Sequence, residues 1–341
     1  LFSCNHQSST TEIRNRLASQ FADPPAASRP HAYWCWINGN FDTLRLKQEL
    51  REAKANGMGG FDIWDVWPVR DEDSIIPKGC AFMSDEYVKA IALAVREAGS
   101  LGLEMGLVIS SGWNAGGSWT KQENATMGLF RTETVVVGGS AKTIELKFPA
   151  IDFRPGKRKD PTVIELDKNG LPVFYKDIAV LAFPFTADSL IDQAKAINLS
   201  DKMDASGKLS WDVPAGKWRV VRYVCYPTGQ PLIAHSSLSK GPMIDHFSAK
   251  ATEIHIRYFL DKLKNELGDL HKTAFKRLYT DSYEVRGQLW TPAMAEEFSK
   301  RIGYDLIPFL PALNGFIVKD KETTERFIFD FNKIQGSINS S

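Results

Sequence analysis

The chain has 341 residues, of which 43% are hydrophobic and 24% charged, and these values exclude a disordered or fibrous protein. Its 42 Lys and Arg residues nearly balance 41 Asp and Glu residues, so the net charge of +1 gives no electrostatic support for nucleic-acid binding. The sequence has no apolar stretch of about 18 residues, so it predicts no transmembrane segment.

Residues 1–28 are predicted to be a lead-in that links to the regular part of the chain. They open with a Leu-Phe-Ser-Cys tetrapeptide that resembles the end of a bacterial lipoprotein signal, in which Cys4 would carry the lipid. This predicts an anchor at Cys4 and a place in the bacterial cell envelope, as a periplasmic or outer-membrane lipoprotein. The charged and apolar regions of a full signal are absent, and a chance tetrapeptide is the alternative.

Strand–helix units of a parallel sheet are predicted within residues 29–131. The strands share a short apolar run closed by turn residues, and they cover residues 33–37, 61–66 and 103–110. Capped amphipathic helices follow the first two. In a (β/α)8 barrel the loops after the strands form the active-site face. An open Rossmann-type sheet also places ligands there, but no strand here runs into a GxGxxG turn.

The pattern changes to short β-like segments at residues 132–226, which predicts an antiparallel β insertion. Residues 227–341 are predicted to continue the barrel, with one further strand at 275–285. Only about four barrel strands can be counted, against the eight that a barrel needs. The predicted fold is therefore a (β/α)8 TIM-type barrel, incomplete in this chain and interrupted by the β insertion, at the N-terminal side of a longer protein.

The segment Tyr279–Glu284 is the sharpest candidate for acid–base chemistry. On a regular strand Asp281 and Glu284 point to opposite faces, because they are three residues apart. Glu284 lies at the carboxyl end, and burial beside Tyr283 and Trp290 is expected to raise its pKa, as a general acid requires. A structural ion pair with Arg286 is the alternative for this carboxylate.

Other candidates carry groups that suit a sugar. Asp65 follows the second strand between two tryptophans, and we expect it to bind sugar hydroxyls or a hard cation. Asn38 offers hydrogen bonds to hydroxyls, while Trp36, Trp113 and Trp290 offer flat stacking faces. The alternatives are a loop cap for Asp65, a turn role for Asn38 and core positions for the tryptophans.

Several ordered motifs together resemble glycoside hydrolase family 106, the α-L-rhamnosidases. They include a Gly-Trp turn followed by Gly-Gly-Ser-Trp and an Asp-Ser-Tyr-Glu-Val segment. The matching segments are residues 29–40, 57–66, 82–87, 112–119, 226–229, 281–285, 288–292 and 303–305. The resemblance runs from about residue 29 to residue 331, and it is more specific than any single motif.

The resemblance implies a barrel interrupted by β domains, inverting hydrolysis of terminal α-L-rhamnose from a plant or microbial glycan, and calcium at the active site. Glu284 matches the catalytic acid, whereas the catalytic base is expected beyond residue 341. Inverting hydrolysis uses one carboxyl to protonate the leaving oxygen and a second to activate water.

One departure leaves the identity of the sugar open. Where the family pattern leads us to expect a His-Asn step before the Gly-Trp turn, this chain has Val108-Ile109. Two alternatives follow: a catalytically silent glycan-binding protein on the same scaffold, and a barrel glycosidase that acts on a different sugar. In the first, the chain would bind a glycan without cleaving it.

Overall fold

The computed structural model describes residues 10–67, 75–155, 160–186 and 188–339. Cys4, the predicted lipid-bearing residue, lies outside them. The described chain divides into two compact units. Unit 1 contains the described residues up to Ala115, together with Ile233–Lys240 and Ile256–Ser282, and unit 2 contains Gly116–Leu232, Gly241–His255 and the described residues from Tyr283 onward.

The α-helices are α1 (Thr10–Ala22), α2 (Thr43–Ala55), α3 (Asp85–Leu101), α4 (Ala249–Leu267), α5 (Met294–Ile302) and α6 (Lys321–Asn339). The side chain of Asp42 accepts two backbone hydrogen bonds at the start of α2, and Ser84 caps α3, so both capped helices form where the sequence predicts them. Helix α1 differs from the sequence interpretation, which treats residues 1–28 as a linker. Within the described residues, none of the helices is both long and apolar enough to cross a membrane.

The longer strands are β1 (His31–Ile37), β2 (Gly60–Val66), β3 (Glu104–Ser111), β4 (Met127–Val137), β5 (Ser140–Glu145) and β6 (Lys176–Pro184). The rest are β7 (Leu190–Ile191), β8 (Ile197–Asn198), β9 (Lys208–Val213), β10 (Lys217–Pro227), β11 (Phe275–Tyr279), β12 (Leu289–Trp290) and β13 (Ile317–Val318).

Unit 1 is built on a parallel sheet with the strand order β1-β2-β3-β11. The apolar runs of the first three strands and their intervening helices are where the sequence predicts them. Strand β11 ends at Tyr279, six residues earlier than predicted, so strand alternation does not orient Asp281 and Glu284. Within the described residues the four strands form an open sheet and no closed barrel is present, so the complete barrel stays a prediction.

Unit 2 contains a five-stranded antiparallel sheet with the order β12-β4-β10-β6-β8, and a separate two-stranded antiparallel sheet formed by β5 and β9. Its long strands fall close to the predicted insertion at 132–226. One core packs residues of β4, β6 and β10 with α5 and α6, among them Leu129, Leu181, Phe298 and Phe331. The sequence assigns residues 227–341 to the barrel, whereas the structure divides them between both units.

Candidate functional site

The pairing of β1 with β2 decides which side chains share a face of the unit 1 sheet. Trp36 pairs in register with Asp65, so their side chains lie on the same face. The ring of Trp36 lies 5.1 Å from that of Tyr87 on α3 and is only 2% exposed. Neighbouring Trp34 donates from Nε1 to Glu49 on α2 at 2.9 Å. Helices therefore cover this face, and Trp36 is a core residue rather than an open stacking surface.

The opposite face of the sheet carries three aromatic rings, Tyr33, Trp64 and Tyr279, which we call the aromatic face. The Tyr33 ring lies 5.1 Å from Trp64 and 5.5 Å from Tyr279, and Tyr33 is 45% exposed. A hydrogen bond with Tyr279 raises the pKa of Tyr33 to about 12, with burial and the nearby charge of Asp281 acting in the same direction. Accessible rings beside an exposed carboxylate form a surface suited to a sugar.

The turn after β3 holds Trp113 beside the loop that carries Asp281. The backbone N–H of Ser282 donates to the carbonyl of Trp113 at 3.1 Å, and Trp64 Nε1 donates to the carbonyl of Gly112 at 2.8 Å. Gly112 has a φ of +83°, and a Cβ there would lie 2.0 Å from the carbonyl oxygen of Ile233, so only glycine fits. The half-buried Trp113 is thereby fixed close to Asp281.

Asp65 is fully buried at the end of β2. Its Oδ2 accepts a 2.5 Å hydrogen bond from the Ser111 hydroxyl, which in turn accepts from the Ser236 backbone N–H at 2.8 Å. The Ser236 and Tyr87 hydroxyls also lie near this carboxyl, while Oδ1 makes no hydrogen bond of regular geometry within the described residues. Burial raises the pKa of Asp65 to about 6. In this structure the carboxyl has no access to a sugar or a solvent cation.

Asn38 joins two loops through its side-chain amide. Its Oδ1 accepts from the Ser237 backbone N–H at 2.7 Å, and its Nδ2 donates to the carbonyl of Pro77 at 2.8 Å. The residue is 1% exposed and has a left-handed φ of 56°, which asparagine tolerates better than most residues. The structure therefore gives Asn38 the turn role that the sequence left as an alternative.

Glu284 lies in unit 2 and is exposed, so the burial that the sequence predicts for this carboxyl is absent. Both sides of its loop are fixed. The ring of Tyr283 lies 4.3 Å from His246, and the Gln230 amide both donates to and accepts from the backbone of Arg286, at 2.7 and 3.2 Å. The carboxylate is thus presented to solvent from an anchored loop.

Trp290 also differs from the predicted sugar platform. It is 1% exposed and stacks on Phe331, with ring centroids 5.9 Å apart, inside the core of unit 2. A ring enclosed in this way has no face left for a sugar. Of the predicted site residues, the structure leaves Trp113, Asp281 and Glu284 at least partly accessible.

Sequence reasoning missed two features of these units. Asp245 is 2% exposed and accepts from the Thr291 hydroxyl at 2.7 Å and the Phe247 backbone N–H at 2.9 Å, and burial raises its pKa to about 6. Its apolar neighbours in the sequence were the available signal. The aromatic face was also missed, although side-chain alternation places Tyr33 and Trp64 opposite Trp36 and Asp65.

Calcium at the active site stays a prediction. Among the residues that the structure describes, no group of three or more His, Cys, Asp or Glu side chains is placed to hold a metal ion. Calcium also takes backbone carbonyl oxygens, side-chain amide oxygens and water as ligands.

Comparisons with known proteins find a matching family model, a similar solved structure and a similar sequence. The family model of glycoside hydrolase family 106, described as alpha-L-rhamnosidase, matches residues 22–190 and 184–340. A rhamnosidase from Novosphingobium sp. PP1Y shares the fold, with a TM-score of 0.72 and 20% identity, over 95% of this chain and 45% of that chain. A Formosa agariphila protein named "Putative beta-glucuronidase" is 28% identical over 354 residues, which cover 94% of this chain and 28% of the relative. The chain spans less than half the length of either.

Proposed function

Because the chain belongs to glycoside hydrolase family 106, the α-L-rhamnosidase family, we propose that the protein hydrolyses terminal α-L-rhamnose from plant or microbial glycans. The observation that carries this proposal is the match of the family model, which extends over nearly the whole chain. The fold shared with a solved rhamnosidase supports it. Inversion at the anomeric carbon is part of the proposal.

The four parallel strands of unit 1 are proposed to be the first part of a (β/α)8 barrel. Their order follows the chain, β1-β2-β3-β11, and helices cover one face of the sheet. In such barrels the catalytic groups stand at the carboxyl ends of the strands. Tyr279 is the last residue of β11, and Trp113 and Asp281 lie beyond the ends of β3 and β11; these three are the proposed contacts of unit 1 with sugar.

Glu284 is proposed to be the general acid that protonates the leaving oxygen. The place of Glu284 in the Asp-Ser-Tyr-Glu motif supports this role, and as an exposed residue it can reach a glycosidic oxygen, although the burial expected of a general acid is absent. Trp36, Asn38, Asp65 and Trp290 are not proposed as sugar contacts, since all four are buried. Calcium at the active site is proposed from the family resemblance alone; exhaustive chelation with EDTA should lower activity, and full activity after chelation would contradict it.

The test compares Glu284→Gln with wild type on aryl α-L-rhamnosides. We expect kcat for 4-nitrophenyl α-L-rhamnoside to fall by about 10³-fold, the usual contribution of a general acid. The loss should shrink for a 2,4-dinitrophenyl leaving group, which departs without protonation. The control is Glu325→Gln, another exposed glutamate of unit 2, paired with Lys321 on α6. Activity of Glu284→Gln within tenfold of wild type on both substrates would refute the assignment.

A second sugar is favoured by one observation, the name of the Formosa agariphila relative. The alternative proposal is therefore hydrolysis of a β-glucuronide on the same scaffold. Parallel assays with 4-nitrophenyl α-L-rhamnoside and 4-nitrophenyl β-D-glucuronide separate the two by their kcat/KM values. Binding of either sugar without release of nitrophenol would instead identify a catalytically silent glycan-binding protein.

A lipid anchor at Cys4 is proposed from the resemblance of residues 1–4 to a lipoprotein signal. It would hold the protein at the bacterial cell envelope, close to polymeric glycans. Labelling of cells with a palmitate analogue tests it: the label should appear on wild type and disappear in Cys4→Ser. Equal labelling of both proteins would contradict the anchor.

A further inference from the structure

Unit 2 contains a groove of about 630 Å³ at one end of its antiparallel sheet. Its lining comes from the end of β6, from residues 194–197 and from residues 214–218 at the start of β10. None of these residues belongs to the aromatic face or to the Glu284 loop. The volume falls within the range of small-ligand sites.

The floor of the groove is apolar and rigid. Trp218 is buried, and its Nε1 donates to the carbonyl of Pro214 at 3.0 Å, which fixes the indole in place. Ile197 is half-buried beside it. Trp218 supports this floor from below, and the exposed Pro214 with the half-buried Ile197 supplies the apolar surface that the C–H face of a pyranose ring can contact.

The rim of the groove is basic. The Nζ of Lys217 lies 4.2 Å from the centroid of the Phe185 ring, and no carboxylate of the described chain lies within 4.0 Å of it. Lys195, also on the rim, pairs with Asp192 at 3.1 Å, and Arg219, behind Phe185, approaches Glu133 at 3.8 Å. The Phe185 ring thus holds the ammonium group of Lys217 beside the groove, and no carboxylate of the described chain is paired with it.

We propose that this groove is a second glycan-binding site, which takes an acidic sugar residue of a polysaccharide. The apolar floor would contact the pyranose ring, and Lys217 with Lys195 would bind its carboxylate or sulfate group. The site would hold the polymer without cleaving it. This inference rests on the proposed function in one respect: a glycan-hydrolysing protein has polymeric glycan as its ligand.

The test measures binding by isothermal titration calorimetry with three probes: oligogalacturonate, a neutral dextran oligosaccharide of equal length and polyglutamate. We expect oligogalacturonate to bind, and to bind more weakly as NaCl rises from about 50 to about 300 mM, because exposed charges are screened. The other two probes should bind at least tenfold more weakly. Equal binding of dextran would overturn the role of charge, and equal binding of polyglutamate would overturn the role of the sugar.

Variants test whether oligogalacturonate binds in this groove. The double variant Lys195→Glu/Lys217→Glu should weaken oligogalacturonate binding by about tenfold, as expected when two exposed charge contacts are reversed. The control, Lys142→Glu/Lys208→Glu on β5 and β9, changes the net charge by the same amount at two exposed lysines outside the groove and should bind like wild type. Ala215→Trp fills the groove without altering charge and should also weaken binding. If both groove variants bind like wild type, the inference is wrong.

Different results would contradict the second binding site and the proposed hydrolysis. Loss of oligogalacturonate binding in the groove variants, with hydrolysis of 4-nitrophenyl α-L-rhamnoside unchanged, supports both. If wild type hydrolyses neither aryl glycoside but the groove variants still lose oligogalacturonate binding, the second site stands and the proposed hydrolysis falls. Unaltered binding with normal hydrolysis overturns only the second site.

Discussion

Each unit buries one carboxyl whose pKa burial raises to about 6, but the two carboxyls are satisfied differently. In unit 2 both oxygens of Asp245 accept hydrogen bonds, from Thr291 and Phe247. In unit 1 only Oδ2 of Asp65 does so, from Ser111, although hydroxyl groups surround the carboxyl. Both oxygens of Asp245 therefore have a hydrogen-bond donor, whereas Asp65 has one regular hydrogen bond, from Ser111, and weaker interactions with the nearby Ser236 and Tyr87 hydroxyls.

The aromatic residues of the two units also differ in how far they are buried. In unit 2, Trp290 and its neighbours are enclosed between the sheet and two helices. In unit 1, the rings divide between a helix-covered face and the aromatic face, where Tyr33 remains 45% exposed. In the described chain, unit 1 therefore leaves the aromatic face of its sheet without covering helices, whereas unit 2 encloses this set of rings in a core.

The largest expected effect comes from truncating the two buried tryptophans. Trp290→Ala and Trp36→Ala should each lower the free energy of unfolding by about 3–5 kcal/mol, because each removes a large buried side chain. Neither should raise KM for a rhamnoside, since neither ring is open to sugar. Urea denaturation and steady-state kinetics provide both measurements.

Trp113→Ala is the matched variant for this comparison. Trp113 is half-buried, so its truncation should cost less stability and should raise KM instead. A result in which Trp290→Ala or Trp36→Ala keeps wild-type stability and raises KM would restore a sugar-binding role for that tryptophan.

The second effect is a dependence of stability on pH. An unfolded Asp titrates near about 3.9, whereas Asp65 and Asp245 titrate at about 6 in the folded state. Between these values the folded state binds more protons, so the free energy of unfolding should fall as pH rises from about 4 to 6 and then level off. Two pKa units correspond to about 3 kcal/mol per carboxyl.

Thermal denaturation at pH 4.5, 6.0 and 7.5 measures this dependence. Asp65→Asn and Asp245→Asn have no titrating carboxyl at these positions, so each should flatten the profile relative to wild type. The difference from wild type isolates the carboxyl from other groups, such as His246, whose pKa burial lowers. An unchanged slope in either variant would show that its carboxyl does not titrate between pH 4 and 6.

The smallest expected effect is the difference in stability loss between removing the Ser111 hydroxyl and removing the Thr291 hydroxyl. Ser111→Ala removes a group that donates to Asp65 and accepts from the Ser236 backbone, so it should cost about 2 kcal/mol. Thr291→Val removes one hydrogen bond and leaves Asp245 its bond from Phe247, so about 1 kcal/mol is expected. Urea denaturation at pH 7 compares them. A larger loss of stability in Thr291→Val than in Ser111→Ala would contradict this difference between the two carboxyls.

Much of the parallel sheet was predictable, because its strands and helices carry local signals. Apolar runs marked β1, β2 and β3, and Asp42 and Ser84 marked the helix starts within one residue. The candidate site was less predictable. Asp65 is enclosed partly by Ser236, which is 171 positions away in the sequence, and no local pattern indicates that contact. The exposure of Glu284 likewise follows from where β11 ends and how Gln230 holds the next turn.

By itself, the sequence determined the family, the alternation of strands and helices in unit 1 and the presence of an antiparallel region. These follow from hydrophobic period, capping residues and ordered motifs, which act over a few neighbouring residues. Only the tertiary structure decided which tryptophans are buried, which carboxyls are desolvated and which face of the unit 1 sheet is covered by helices. Burial and pKa depend on groups that folding brings from distant positions, so they exist only once the chain has packed.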